Sequence, residues 1–176
     1  DSGIPFLRLG SEYSCDERFR PYLIEKAISD CPKLEAIKQY IIGTRVIVGT
    51  TSMMTSKPFI FLLKHFKLAI IDESSQILEP NLIGLLSAVD KFILIGDYKQ
   101  LPAVVQQSEQ DSGIPTINDS QKGGIIDMSI LQDICLTNCR NSLFERLIHW
   151  EDYEERSEFI GILRRQRPSR PEINMI

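Results

Sequence analysis

Two apolar runs near the middle of the chain stop abruptly at carboxylates. Ala69-Ile70-Ile71 leads into Asp72-Glu73-Ser74-Ser75-Gln76, and Leu94-Ile95 leads into Gly96-Asp97-Tyr98-Lys99-Gln100-Leu101-Pro102. A short continuous apolar stretch of this kind is the pattern of a strand buried on both faces of a parallel sheet. The pattern predicts strands over residues 68–72 and 92–96. Residues 5–9 and the β-branched run 46–48 predict two more strands earlier in the chain.

Between these runs the spacing turns helical. Tyr22, Leu23, Lys26 and Ala27 fall at helical intervals closed by Pro32, and residues 34–42 read as an amphipathic helix stopped by Gly43. Residues 59–66 are apolar enough for a short packed helix. Glu79-Pro80 opens another, running to about residue 88, with proline in the first turn where its missing donor costs nothing. Helices are also expected over 127–134 and 141–150, the latter capped by Asn141 or Ser142, and a last strand over 159–163. Residues 50–56 are small and polar. They read either as a loop that contacts phosphates through hydroxyls and backbone N–H groups, or as a turn and helix cap. Residues 106–124, rich in Gln, Ser, Asp and Gly, read as a mobile surface loop, and 151–158 as an acidic solvated stretch.

Strands alternating with helices place the chain in the α/β class with a parallel sheet. Open sheets of that class bind ligands at the carboxyl ends of their strands, where both carboxylate clusters fall. Asp72-Glu73 has the form of a Walker B element, in which one carboxylate holds Mg²⁺ and the other orients the water for phosphoryl transfer. An acidic pair at a helix start would also satisfy the helix dipole with no catalysis at all. The second strand, arriving with its own Gly-Asp and Gln-Leu-Pro, favours nucleotide hydrolysis.

Composition narrows the class. With 176 residues and 43% hydrophobic content, the chain is long and apolar enough for one sizeable core. No apolar run approaches a membrane span and no signal-peptide pattern opens the chain, so no membrane partner is expected. A net charge of −4 argues against a standalone nonspecific nucleic-acid binder, which is usually basic. It does not exclude a domain that grips a strand through local loops. Cys15, Cys31, Cys135 and Cys139 are scattered, and Cys135 and Cys139 are spaced for one helix face but lack further ligands for zinc. They read as reduced structural cysteines of a cytoplasmic protein, or a nuclear one in a eukaryote. Arg164, Arg165, Arg167 and Arg170 form a basic cluster, read as solvated surface or as a phosphate contact.

Several segments, in order, resemble superfamily 1 helicases of the branch that holds the nonsense-mediated-decay and replication helicases. Asp-Glu-Ser-Ser-Gln at 72–76 resembles motif II, and Gly-Asp-Tyr-Lys-Gln-Leu-Pro at 96–102 resembles motif III. Residues 3–10 resemble the strand after motif Ia, 45–51 motif Ic, 141–147 the Ser-Leu-Phe-Glu-Arg-Leu helix downstream of motif III, and 166–173 motif IV. The resemblance implies a RecA-like (P-loop NTPase) parallel sheet with flanking helices. That sheet is expected to be incomplete, because no Gly-x-x-x-x-Gly-Lys-Ser/Thr occurs in the chain and the P-loop strand would lie upstream. Residues 1–158 are then part of the first RecA-like domain, and 159–176 a motif IV-like segment leading toward a second. By itself such a piece is expected to hydrolyse ATP negligibly.

The resemblance also implies roles. ATP is the substrate and Mg²⁺ the cofactor, with Asp72 holding the metal, Glu73 activating the water and Gln100 sensing the γ-phosphate. Gln76 would link motif II to its neighbours, Gly96 would let backbone approach closely, and Asp97 would anchor its loop. Thr50, Thr51 and Arg8 are the residues implied for the nucleic-acid backbone. Motif IV of the family usually reads Gln-Tyr-Arg-Met-His-Pro, whereas this chain has Gln166-Arg167-Pro168-Ser169-Arg170-Pro171. With Pro168 in the usual arginine position, the nucleotide contact beside Gln166 falls to Arg167 or Arg170.

The implied partners are nucleic acid, DNA ahead of RNA, and the remainder of the helicase chain, moving 5′ to 3′. Two other readings stay open: another class of P-loop ATPase, against which Gln-Leu-Pro after Gly-Asp counts, and a noncatalytic RecA-like scaffold. One expectation concerns the sheet edge. In RecA-like sheets the motif III strand lies between the P-loop strand and the motif II strand. Residues 92–95, with no proline or charge among them, would then present an unpaired edge that favours self-association.

Overall fold

The computed structural model describes residues 4–29, 33–100, 103–114, 131 and 133–164. Its strands form two parallel pairs. β1 (Phe6–Arg8) lies beside β2 (Val46–Val48), with Phe6 opposite Val46 and Arg8 opposite Val48. β3 (Phe66–Ile71) lies beside β4 (Val89–Leu94), with Phe66 opposite Val89 and Ile71 opposite Leu94. Parallel neighbours cannot be joined by a tight hairpin, and helices make each crossover. α1 (Ile24–Ala27) and α2 (Leu34–Gly43) lie between β1 and β2, and α5 (Glu79–Leu86) lies between β3 and β4. α3 (Thr51–Ser56) and α4 (Phe59–Leu63) carry the chain from one pair to the other. α6 (Glu109–Ser112) and α7 (Leu143–Tyr153) follow β4.

The pleat sorts each strand between core and surface. Leu7 is buried, with Leu9, Ile24, Ile41 and Ile60, and Ile47 packs against this cluster. A second cluster joins Ile71 and the α5 positions Leu82, Leu85 and Leu86, at helical spacing, to Leu143 of α7. Met54 of α3 packs against both clusters, so α3 ties the two strand pairs together. Full burial of a leucine such as Leu82, at 0% exposure, stabilises by about 1.5–3 kcal/mol.

Several expectations need correction. Of the two readings of residues 50–56, the helix cap holds and the loop does not: Thr50 caps α3, its hydroxyl oxygen accepting from Met53 N at 3.3 Å, and Met53 and Met54 are half-buried. β3 begins at Phe66, so the preceding helix ends at Leu63. β4 begins at Val89, three residues early, and so carries Asp90 and Lys91 within it. No strand forms over 159–163, where Phe159, Ile162 and Leu163 are exposed with no neighbouring strand among the described residues. Part of the expected loop is helical, with Ser108 capping α6. Cys135 sits in a turn with φ 55° and Cys139 in another, so no helix face unites them. Most of the helix expected over 127–134 lies outside the described residues, as do Gln166, Arg167 and Arg170.

The edge expectation survives in altered form. β4 pairs with β3 and has no second strand neighbour among the described residues. Its amino half is guarded by Asp90 and Lys91, while Phe92 and Ile93 remain exposed.

Candidate functional site

The two carboxylate loops leave the carboxyl ends of β3 and β4, neighbouring parallel strands, and are bonded to each other. The ladder continues one step past the strands, with Ile95 N donating to Ile71 O at 2.8 Å. Asp72 and Glu73 then turn the chain sharply. Glu73 adopts the left-handed region, φ 52°, rare for a residue with a side chain. That conformation costs on the order of 1–3 kcal/mol and persists only where surrounding bonds over-determine it. Those bonds are present. Glu73 N donates to Asp72 Oδ1 at 3.1 Å, Gln76 Nε2 donates to Glu73 Oε2 at 3.2 Å, and Gln76 N donates to Glu73 O at 3.0 Å.

Next comes a buried serine pair. Ser74 is fully buried, and both its backbone N–H and its hydroxyl donate to the Ile95 carbonyl, each at 2.8 Å. The Ser75 hydroxyl oxygen accepts from Asp97 N at 3.3 Å. Gly96 lies between these contacts. A β-carbon there would stand 2.9 Å from Ser75 N, 3.1 Å from its Oγ and 3.2 Å from its Cβ, so only glycine lets the loops approach this closely. Asp97 then closes its own loop: Oδ1 accepts from Lys99 N and Oδ2 from Gln100 Nε2, both at 3.0 Å.

The structure therefore gathers Asp72, Glu73, Gln76, Gly96, Asp97 and Gln100 at one end of one strand pair. The three carboxylates are exposed, and Lys99 lies in the same loop. Asp72 Oδ2 and Glu73 Oε1 have no hydrogen-bond partner among the described residues. Free carboxylate oxygens are hard donors that suit Mg²⁺, which takes one or two of them and fills its octahedron with water and substrate phosphate. No group of three His, Cys, Asp or Glu among the described residues forms a self-contained metal cage. Tyr98 meets His149 of α7 edge-on, ring centroids 5.8 Å apart, so the second loop also rests on that helix.

Thr50, Thr51 and Arg8 belong to the other strand pair. Thr50 is exposed and spends its oxygen on the α3 cap, while Thr51 is half-buried. Arg8 is half-buried on β1, its Nε shielded from solvent without a hydrogen-bond partner, and it lines an apolar groove with Phe6, Phe19 and Val48. No hydrogen bond links these three to the carboxylate loops among the described residues. Sequence reasoning missed Ser74 and Ser75. The signal was two small polar residues directly after Asp-Glu, but their partners lie some twenty residues away and show only in three dimensions.

Parallel strands with crossover helices, carrying acidic loops at their carboxyl ends, define part of a RecA-like domain. An AAA domain model matches residues 24–108, a span that holds β2, β3, β4 and both loops. The chain is similar to the DNA replication ATP-dependent helicase/nuclease DNA2 of Xenopus laevis, 33% identical over 111 residues, which cover 60% of this chain and 10% of that protein. The human protein of the same name is 35% identical over 107 residues, 60% of this chain and 10% of the relative. The Schizosaccharomyces pombe relative is 47% identical over 49 residues, 28% of this chain and 4% of the relative. The chain thus aligns with about a tenth or less of the length of these curated relatives. Over the matched part the chain is similar to the AAA domain family and to these helicase/nucleases. Among the described residues no helix is long and apolar enough to cross a membrane.

Proposed function

We propose that this chain supplies the hydrolytic corner of an ATP-dependent nucleic-acid helicase or translocase. The supporting observation is the joined pair of loops, which holds Asp72 and Glu73 beside Asp97 and Gln100 at the ends of adjacent parallel strands. Asp72, with an open carboxylate oxygen, is the residue to hold Mg²⁺, which when bound neutralises charge on the β- and γ-phosphate oxygens. Glu73 orients the attacking water and takes its proton. The water oxygen bonds to the γ-phosphorus as the bond to the β–γ bridging oxygen breaks, leaving ADP and phosphate. Gln100, held by Asp97, faces the γ-phosphate, and Gln76 steadies Glu73. The phosphate cradle and its lysine have no counterpart in this sequence, so the reading requires them from the remainder of the protein. Residues 1–158 serve as part of the first RecA-like domain. Residues 159–176 lead toward the second, with Gln166 and either Arg167 or Arg170 at the nucleotide.

Thr50, Thr51 and Arg8 are assigned to the strand backbone, and DNA is favoured over RNA because the relatives carry DNA replication in their names. The full-length protein tests this reading in an ATPase assay with single-stranded DNA or RNA added. Hydrolysis stimulated by DNA more than by RNA is expected, and Asp72→Ala should shift the Mg²⁺ dependence. Hydrolysis indifferent to either nucleic acid would contradict the helicase assignment. Superimposable Mg²⁺ titrations would contradict the role of Asp72.

A further inference from the structure

We infer that Ser75 is a positioning residue that sets Gln100 against Glu73, acting through Asp97. The inference rests on the hydrolytic reading above and adds a residue and a route to it. A short stretch of backbone and two hydrogen bonds make the route. Ser75 lies two positions after Glu73, its hydroxyl oxygen accepts from Asp97 N at 3.3 Å, and Asp97 Oδ2 accepts from Gln100 Nε2 at 3.0 Å. Asp97 also fixes the turn by accepting from Lys99 N. The geometry leaves little slack, because the Gly96 backbone passes where a β-carbon would collide with Ser75. Ser75 itself is buried, at 5% exposure, so water cannot readily replace its hydroxyl.

The neighbouring serine shows why this is positioning and not simple cohesion. Ser74 already holds the loops together with two bonds to the Ile95 carbonyl, and one of them is backbone. Without the Ser75 hydroxyl the loops stay joined through Ser74. What is released is the Asp97 amide, and with it the orientation of the Gln100 side chain. A small misplacement of a group that acts on the reacting phosphate lowers the rate of the chemical step, while ground-state binding of ATP, dominated by other contacts, is spared.

The test uses the full-length protein. Ser75→Ala removes the acceptor and keeps the β-carbon beside Gly96. We expect kcat for ATP to fall on the order of tenfold, with KM within about twofold and the melting temperature near wild type. Should that variant fail to fold, Ser75→Cys, close in shape and a weak acceptor, gives the same reading. Wild-type kcat in either variant would overturn the inference. So would a loss of kcat that is matched by lost ATP affinity and lowered melting temperature, the signature of a structural role. Glu73→Gln in the same assay separates the two claims. If it abolishes turnover while Ser75→Ala does not slow it, only this inference fails; if it leaves turnover intact, the hydrolytic reading fails and takes this inference with it.

Discussion

Arg146 and Glu79 meet fork to fork. Arg146 Nε lies 2.8 Å from Glu79 Oε2 and Nη2 lies 2.5 Å from Oε1, while Nη1 donates to the Ile134 carbonyl at 2.9 Å. Glu79 is the first residue of α5, three positions after Gln76, and Arg146 lies in the first turns of α7. The pair therefore locks α7 to the helix that follows the Asp72–Glu73 loop. α7 also carries His149, on which Tyr98 of the other loop rests. Both side chains are largely withdrawn from water, at 11% and 22% exposure, so the pair is not a screened surface contact.

Removing one partner of such a pair leaves the other charge buried and uncompensated. Arg146→Ala is expected to cost about 3 kcal/mol of stability in urea denaturation. Arg146→Lys should recover only part of this, because an ammonium cannot make the planar two-point contact. A loss below about 0.5 kcal/mol for the alanine variant would place the pair among ordinary surface bridges.

Two glycines give opposite expectations for one substitution. Gly96→Ala puts a methyl 2.9 Å from the Ser75 backbone nitrogen, an overpacking expected to cost about 1–3 kcal/mol. Gly84 lies exposed in α5 with nothing within 4 Å of a built β-carbon. Gly84→Ala should instead stabilise by about 0.5–1 kcal/mol through lower helix entropy cost. Thermal melts of the two variants should shift in opposite directions, and shifts in the same direction would contradict the close approach of the loops.

The free edge and exposed face of the second strand pair carry a prediction about association. Leu68, Ile70 and Ile93 are each about half exposed, and Ile70 stands opposite Ile93. Asp90 and Lys91 discourage pairing along only the first half of β4. The 176-residue chain by itself should show an apparent mass that rises with concentration in sedimentation, and Ile93→Lys should suppress the rise. A concentration-independent monomer would contradict it.

Much of this was legible in the sequence because apolar runs and their breakers are local signals. The four strands, the helix ending at Gly43, the opening of α5 at Glu79-Pro80 and the Ser142 cap of α7 all follow from neighbours within a few positions. The misreadings have physical causes. Thr50 to Ser56 reads equally as a polar loop or a helix cap because Ser and Thr favour both; the half-buried Met53 and Met54 decide for the packed helix. Residues 159–163 have strand-like composition, but β-propensity is realised only against a partner strand, and none lies beside them among the described residues. The six residues gathered at the ends of β3 and β4 each stand out in the sequence where an apolar run stops. The bonds that join them, from Ser74 to Ile95 and from Ser75 to Asp97, connect separate strands and have no periodic signature.

ATP turnover by Glu73→Gln in the full-length protein tests the central claim most directly. The amide keeps the shape of the side chain but cannot take the proton of the attacking water. Turnover should fall by at least about a hundredfold with Mg-ATP binding retained, as for the loss of a positioned base. Turnover within a few-fold of wild type would contradict the assignment of this corner as the hydrolytic site.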